Sequence, residues 1–143
     1  MDEDDQENLL KALDDEDNSF LLNTNSEKIE NIKISVLSEL FEEDHETIAN
    51  IMEKIQHFIY VDGIPELKYG SFIRWISLKN PENMKLTNGA IICDIKITQH
   101  GTSVLCKGIN GRIFSIKMDD TYIFRKLTQQ EQIILNVIDH LNK

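Results

Sequence analysis

Apolar residues recur every three or four positions between residues 26 and 61, which is the spacing of amphipathic helices. A break at residues 41–43 divides the pattern into two helices, and Ser26 and Asp44 are their predicted N-terminal caps. The apolar positions are Ile29, Ile32, Val36, Leu37 and Leu40 in the first helix, and Ile48, Ile51, Met52, Ile55 and Ile59 in the second. The short connection favours an antiparallel helical hairpin over residues 26–62. This hairpin either caps the domain that follows or forms a coiled coil or dimer interface.

From Tyr69 onward the period changes from helical to alternating, which is typical of β-strands. Asn110-Gly111 predicts a two-residue hairpin turn, in which both central residues adopt positive φ. Cys93 and Cys106 lie in apolar strand runs and are expected to be reduced core residues. The pattern predicts five strands, at residues 70–78, 90–98, 102–109, 112–118 and 121–126.

Five short strands within about 60 residues must close, or nearly close, to hide their edges. We therefore expect a small five-stranded antiparallel barrel, SH3-like or Tudor-like, with an OB-like barrel as the alternative. The last segment predicts a C-terminal helix in which Thr128 and Glu131 form a capping box. This helix packs across the barrel or against the helical hairpin. Barrel and helix together predict a domain over residues 66–143 and an α+β fold class.

The first 25 residues are acidic, rich in Asp and Asn, and contain only short apolar patches. Such a segment buries too little apolar surface to offset its ordering entropy, so residues 1–25 are expected to be a disordered acidic tail. The alternative is a short linear motif that docks on a partner as a helical turn. Its apolar residues would be Leu9, Leu10, Leu13, Phe20, Leu21 and Leu22.

Charge divides the chain into two contrasting parts. The net charge is −10 over 143 residues, but residues 1–62 carry −14 whereas residues 63–143 carry +4. The acidic part either keeps a small domain soluble or screens a basic surface on the second part. No window approaches the roughly 20 apolar residues of a membrane helix, and the acidic N-terminus is unlike a signal peptide. We therefore expect a protein that is neither membrane-bound nor secreted.

Recognisable catalytic motifs are absent from the sequence. It has no glycine-rich phosphate loop, no nucleophile elbow and no histidine with an acidic residue at motif spacing. Cys93, His100 and Cys106 match no zinc spacing and lack a fourth ligand. We expect no enzymatic activity, no cofactor and no metal.

The strongest functional signal is a basic segment with interleaved aromatic residues. Residues 68–127 carry ten Lys and Arg against four Asp and Glu. On a small barrel, cations beside exposed rings suit single-stranded nucleic acid, a peptide groove or a cage for a methylated side chain. Alternatively, the rings form the core and the cations are an ordinary solvated face. The candidate binding residues are Tyr69, Phe72, Arg74, Lys96, Lys107, Arg112, Lys117 and Arg125.

These residues predict an interaction or adaptor module that binds a partner protein or, through its basic face, nucleic acid. The acidic N-terminal half would modulate that binding. The alternative is a structural or virion component without a separable binding site. Clustering of Arg74, Lys96, Lys107, Arg112 and Lys117 on one exposed face favours the adaptor, whereas scattering favours the structural component.

The second half of the chain contains the stretches YGSFIRWISL, LTNGAIICDIKI and IFSIKMDDTYIFRKLTQQEQIIL. Together they resemble small proteins encoded by giant DNA viruses of protists, of the mimivirus kind. The resemblance covers residues 68–141, and the richness in Ile, Asn and Lys fits such AT-rich genomes. It implies a viral protein that acts in the host cytoplasm or is packaged in the virion. It carries no known activity and no site residues.

Overall fold

The computed structural model describes residues 3, 4, 6, 7, 10 and 16–142, with the backbone alone at 16–19. Contacts divide the chain into two units, Met1–Ala49 with Leu127–Lys143 and Asn50–Lys126. All six strands lie in the second unit, so the protein combines helices with a separate antiparallel sheet and is α+β, as its sequence predicts. Within the described residues, no helix is both long and apolar enough to cross a bilayer.

Within residues 16–142, the amphipathic pattern produces three α-helices, which are α1 (Ser26–Phe41), α2 (His45–Lys54) and α3 (Gln129–Leu141). The predicted cap of α2 is confirmed. The Asp44 carboxylate accepts hydrogen bonds from the Thr47 amide at 3.2 Å and from the Thr47 hydroxyl at 2.7 Å. These bonds satisfy an amide that the helix leaves without a partner, and they hold the pKa of Asp44 below its ordinary value.

The predicted cap of α1 is wrong. Asn25 rather than Ser26 is the capping residue, and its side-chain oxygen accepts a hydrogen bond from the Lys28 amide at 2.8 Å. Both residue types are good caps, so two in succession leave the choice to the local geometry. Ser26 is the first residue of α1, and its amide and hydroxyl both donate to the Asp139 carboxylate of α3. A carboxylate at this end of α1 also interacts favourably with the helix dipole.

In one turn of α1, the buried residue is not the one that the apolar pattern predicts. Lys33 is fully buried, with its ammonium 2.6 Å from the Glu30 carboxylate, whereas Ile32 is 49% exposed. Lys33 lies four residues from both buried Ile29 and buried Leu37, so the three share one helix face. The ion pair offsets part of the desolvation cost of the lysine. Hydrophobicity alone therefore assigns this buried position to the wrong residue.

The predicted capping box at the start of α3 is confirmed. The Thr128 hydroxyl oxygen accepts a hydrogen bond from the Glu131 amide at 3.1 Å, and the Glu131 carboxylate accepts one from the Thr128 amide at 2.8 Å. α3 belongs to the same unit as α1, which is one of the two placements that the sequence leaves open.

The disorder predicted for residues 1–25 is not confirmed. The described residues 3, 4, 6, 7 and 10 have helical backbone, and Glu16–Asn23 forms a 3₁₀ helix. Leu21 of this 3₁₀ helix is fully buried, while Leu10 and Leu22 are exposed. Leu9 and Leu13 of the predicted linear motif lie outside the described residues. Burial of Leu21 provides apolar contact that favours an ordered segment, which the acidic composition of residues 1–25 does not predict.

In the described part of the chain, six antiparallel strands form one sheet that is not closed, in the order β1-β6-β2-β3-β4-β5. Their bounds are β1 (Phe58–Tyr60), β2 (Phe72–Ser77), β3 (Ala90–Thr98), β4 (Gly101–Gly108), β5 (Ile113–Lys117) and β6 (Thr121–Lys126). The last five match the five predicted strands to within two residues. The predicted closed, five-stranded barrel is not confirmed.

The extra strand is β1, which lies where the second helix was predicted to continue to Ile59. α2 ends at Lys54, and β1 then pairs with β6 through Ile59 opposite Arg125. Aromatic and β-branched residues fit a pleated strand better than a helix, and the run Phe58–Tyr60 consists entirely of them. A run of three apolar residues is compatible with both the helical and the strand period. Only its pairing with β6 shows that it is a strand.

A β-bulge at Cys93 changes which residues of β3 face the core. Ile92 opposes Cys106, but the next pair is Asp94 opposite Leu105, so Cys93 is the additional residue. The prediction that Cys93 is a core residue is therefore wrong. Ile92 is buried, whereas Ile91 and Cys93 are exposed. The bulge restores Ile95 to the inward side, where it packs on the core.

The turn between β4 and β5 also differs from its prediction. Among the described residues, Gly111 has positive φ, at 81°, but Asn110 does not. The Gly111 amide donates to the Gly108 carbonyl, and the Gly108 amide donates to the Arg112 carbonyl, each at 2.9 Å. These bonds define a three-residue loop, in which a type I turn is followed by a left-handed glycine. The Asn-Gly dipeptide is compatible with both the predicted two-residue turn and the observed three-residue loop, because each needs a residue with positive φ. The dipeptide alone therefore does not distinguish the two turns.

The concave side of the sheet holds the core of the second unit. Trp75 and Phe114 pack against each other there with ring centroids 5.7 Å apart. Cys106 is fully buried, as predicted. The buried members of this core are Val61, Leu67, Ile73, Trp75, Ala90, Ile92, Val104, Cys106 and Ile123.

The two thiols should differ sharply in reactivity. Burial, with a smaller effect of the neighbouring Cys93, raises the pKa of the Cys106 thiol to about 11. At pH 8 about a thousandth of Cys106 is then thiolate, the reactive form, whereas Cys93 is exposed. We expect a disulfide reagent at pH 8 to modify one thiol in the native chain and two in urea. Cys93→Ser should abolish the native reaction, and rapid labelling of that variant would contradict the burial of Cys106.

Candidate functional site

One side of the three-stranded segment β3-β4-β5 is open to solvent. Residues that directly oppose one another on paired strands point to the same side of the sheet. The registers therefore place three rows of side chains on this side, each row running from β3 through β4 to β5. We call this surface the outer face, and its rows are Lys96, Ser103 and Lys117; Asp94, Leu105 and Ser115; and Ile91, Lys107 and Ile113.

Three of the predicted basic residues lie together on the outer face. Lys96, Lys107 and Lys117 are all exposed, and each comes from a different strand. Lys96 and Lys117 oppose the same serine, so their backbones are about 10 Å apart across two strand spacings. The carboxylate on this face, Asp94, accepts a hydrogen bond from the Ile95 amide at 2.9 Å. The outer face therefore has a net positive charge.

The same face also exposes apolar side chains. Ile91 is 47% exposed and Ile113 is 61% exposed, on either side of Lys107 in one row. Phe72 of β2 opposes Ile91 and continues this row to a fourth strand. Phe72 is half-buried and packs edge-on against Phe58, with ring centroids 6.1 Å apart. The row is thus a partly exposed apolar strip that is interrupted by one cation.

Two further candidates lie at the margins of the outer face. Arg112 is exposed in the β4–β5 turn, directly before Ile113. Tyr69 is exposed in the segment before β2, and the adjacent Gly70 amide donates to the Ile92 carbonyl of β3 at 2.8 Å. This bond places the Tyr69 segment beside the start of β3. Six predicted residues, Phe72 included, therefore lie on or next to one surface.

Arg74 is held by a neighbouring loop. Its Nε donates to the Thr87 carbonyl at 2.8 Å, and the side chain is partly buried. Burial lowers the pKa of its guanidinium from the ordinary value. Arg74 thus fastens the β2–β3 connection to β2 and contributes less to an exposed cationic surface than the sequence predicts.

The prediction that Arg125 binds a partner is wrong. Its side chain is fully buried, its Nε donates to the Glu66 carbonyl, and its Nη1 donates to the Lys126 carbonyl at 3.1 Å. It opposes Ile73 across β2 and Ile59 across β1, both buried. A guanidinium suits this role because it is planar and offers several donors. Arg125 is a structural residue of the sheet.

Most aromatic rings interleaved with the basic residues are not on the outer face. Trp75 and Phe124 are buried, and Phe114 packs on Trp75 from the concave side. Tyr122 packs on Tyr60, with ring centroids 6.0 Å apart. Base stacking requires exposed ring faces. The rings therefore complete the interior rather than form a stacking platform.

A cavity of about 350 Å³ lies in the second unit, beside the segment 60–64 and Met118. Its carboxylates are Asp62 and Asp119, and no histidine or cysteine lines it. In the part of the chain that the structure describes, no group of three or more histidine, cysteine or acidic residues is placed to hold a metal ion. The outer face is the stronger candidate site.

Two features of the outer face were not predicted from the sequence. They are the exposure of Ile91 and Ile113, and the position of β5 as the last strand of the sheet. Alternation alone does not show that Ile91 faces outward, because the bulge at Cys93 reverses the alternation upstream of it. Comparison of the chain with protein-family models, curated proteins and solved structures gave no match. The resemblance to proteins of giant DNA viruses, with its host-cytoplasmic or virion location, stays a prediction.

Proposed function

We propose that this chain is a non-enzymatic interaction module that binds a partner protein through the outer face. The observation that carries the proposal is the convergence of Lys96, Lys107 and Lys117 with exposed Ile91 and Ile113 on one surface. Binding surfaces combine apolar contact area with charges that orient the partner. Residues from three strands supply both here.

A protein partner is favoured over nucleic acid by the placement of the rings. Tyr69 and Phe72 are the candidate aromatic residues at the outer face, and Phe72 is half-buried against Phe58. Single-stranded nucleic acid binding relies on rings that stack on successive bases. Isoleucine side chains offer contact area to a protein but no comparable surface to a base. Nucleic acid remains the second outcome of the test below.

Strands β2 to β6 support an SH3-like arrangement with β1 added at one edge. Consecutive strands pair from β2 to β5, and β6 then pairs with β2 at the opposite side of the sheet. The 3₁₀ helix Met118–Asp120 alone connects β5 to β6. So short a link draws the two sides of the five-stranded segment together, which requires a strongly curled sheet. Around this link, the Thr121 hydroxyl donates to the Lys117 carbonyl at 2.8 Å.

The acidic N-terminal half would modulate this interaction. Residues 1–62 carry −14, opposite in sign to the outer face. Charge of that size lowers the potential experienced by an approaching acidic partner, whether or not it contacts the lysines. Replacing the exposed Asp and Glu residues of this half with Asn and Gln should strengthen binding, and the effect should diminish as salt increases.

The alternative, a structural component, would use an apolar patch on the predicted helical hairpin, residues 26–62. Ile32 and Ile34 of α1 are exposed. They are two positions apart, or about 200° around the helix axis, so they do not form one patch. The outer face is therefore the better supported surface.

Reversal of charge on the outer face should weaken binding of an acidic ligand. The probe is a fluorescein-labelled nine-residue peptide with alternating Glu and Val, followed by anisotropy with the full chain. We expect Lys96→Glu, Lys107→Glu and Lys117→Glu together to raise Kd at least about tenfold, because attraction becomes repulsion. Binding of the unmodified chain should also weaken with added salt.

The matched control reverses three exposed lysines elsewhere, Lys54→Glu, Lys79→Glu and Lys85→Glu, which gives the same net charge. We expect this control to raise Kd only about twofold. Equal losses in the two triple variants would show that net charge, not the outer face, determines binding. Tighter binding of a 20-nucleotide oligothymidylate than of the peptide would favour the nucleic-acid alternative.

A further inference from the structure

We infer that the partner segment is an extended peptide with alternating acidic and apolar residues, which adds to the sheet as a strand beside β5. The inference rests on the proposed function, since it names the ligand of the outer face. β5 is the last strand in the sheet order, and it has β4 on one side only. No strand among the described residues pairs with its other side.

The backbone groups that β5 presents to this open side can be identified from the β4–β5 register. The Gly108 amide donates to the Arg112 carbonyl, so their pair is hydrogen-bonded. Hydrogen-bonded and non-hydrogen-bonded pairs alternate along an antiparallel ladder. Phe114 and Ile116 therefore bond to β4, whereas the amides and carbonyls of Ile113 and Ser115 point to the open side. The amide of Lys117 points the same way.

The side chains of β5 define what a neighbouring strand would carry. Ile113, Ser115 and Lys117 are exposed on the outer face, whereas Phe114 and Ile116 point to the concave side and are half-buried. An added strand alternates in the same way. Its residues on the concave side would cover the exposed parts of Phe114 and Ile116, so apolar residues fit there.

On the outer face, charge determines which residues of the added strand fit. A residue opposite Lys117 on the outer face lies about 5 Å from it across one strand spacing. Lys107 and Lys96, on the two strands beyond, add to the positive potential. Acidic side chains at alternate positions are therefore complementary to the outer face, whereas basic ones are repelled.

A second copy of this chain is a poorer occupant of the same edge. Antiparallel pairing of β5 with β5 would bring two outer faces into one continuous sheet. Lys96, Lys107 and Lys117 of each copy would then share one surface with the same residues of the other. Like charges at that spacing oppose the pairing.

The test separates edge pairing from simple charge attraction. Ser115→Pro removes an amide that points to the open side, while leaving the bonds between β4 and β5 intact. Ser115→Ala is the matched control, because it removes the hydroxyl but keeps the amide. We expect Ser115→Pro to raise Kd for the Glu–Val peptide about tenfold, and Ser115→Ala to leave it within about twofold. Circular dichroism and thermal unfolding of each variant verify that the fold is retained.

A second comparison changes the ligand instead of the protein. A peptide of the same composition, with its Val and Glu residues in separate blocks, should bind at least about tenfold more weakly than the alternating peptide. Equal affinity for both peptides would overturn the edge-pairing inference, as would an unchanged Kd for Ser115→Pro, even if the lysine reversals still weakened binding. In that case the proposed function stands without it. Concentration-dependent dimerisation of the full chain that Ser115→Pro prevents would identify the second copy as the occupant and overturn the inference.

Discussion

Arg125→Ala should reduce the free energy of unfolding by about 3 kcal/mol, measured by urea denaturation. The guanidinium is fully buried and donates to the carbonyls of Glu66 and Lys126. Its removal leaves a cavity and deprives the partly buried Glu66 carbonyl of its donor. The Glu66 carbonyl belongs to the segment between β1 and β2, so the loss should also loosen the connection of that segment to β6.

The adjacent residue provides the control. Lys126 is exposed and contributes only its backbone carbonyl to the contact, so Lys126→Ala should change stability by no more than about 0.5 kcal/mol. Arg125→Met preserves much of the apolar volume but no donor, and it should fall between the two. A value for Arg125→Ala that equals that of Lys126→Ala would mean that the guanidinium is in solvent, and Arg125 would return to the candidate binding residues.

Gly89→Ala should destabilise the protein by about 3 kcal/mol, measured in the same way. Gly89 has a φ of 104° and precedes β3. A Cβ atom there would lie 2.4 Å from Phe72 Cζ and 2.6 Å from the Ile73 carbonyl oxygen. Phe72 can move only by leaving its contact with Phe58, and the carbonyl belongs to the backbone of β2. Backbone strain and a steric clash therefore act together.

Gly111→Ala separates these two causes. Gly111 has a φ of 81° in the β4–β5 turn, but no atom lies within 4 Å of the position of a Cβ. Its substitution should therefore introduce backbone strain alone, at about 1 kcal/mol. If the two glycine variants lose equal stability, close packing of the Gly89 backbone against β2 is refuted.

Strands and helix ends could be predicted where local chemistry decides them. Asp44 and the Thr128–Glu131 pair cap helices because their oxygens reach amides within three residues, and alternation identifies β2 to β6. Phe58–Tyr60 could not be assigned in this way. That run is short enough to fit either period, and its pairing with β6 involves residues more than 60 positions away.

The candidate site could be predicted only in part, for a similar reason. Exposed strand lysines were identified correctly as surface residues, but the bulge that turns Ile91 outward depends on the pairing of β3 with β4. Arg125 and Lys117 are both basic residues in predicted strands, yet Arg125 is buried and Lys117 is exposed. The difference lies in the partners across the sheet, because Arg125 is between two paired strands and Lys117 is on an edge. The spacing of residues along the chain does not indicate whether a strand lies in the middle of the sheet or at its edge.

The most direct test of the outer face as a binding surface is amide NMR of the ¹⁵N-labelled full chain during titration with the alternating Glu–Val peptide. The proposed binding mode predicts that the largest shift changes occur at the amides of Ile91, Lys107, Ser115 and Lys117. It also predicts that Ile59 of β1 and Phe124 of β6 stay unchanged. Shift changes confined to β1, β6 or α1, or none at saturating peptide, would contradict the assignment of the outer face as the binding surface.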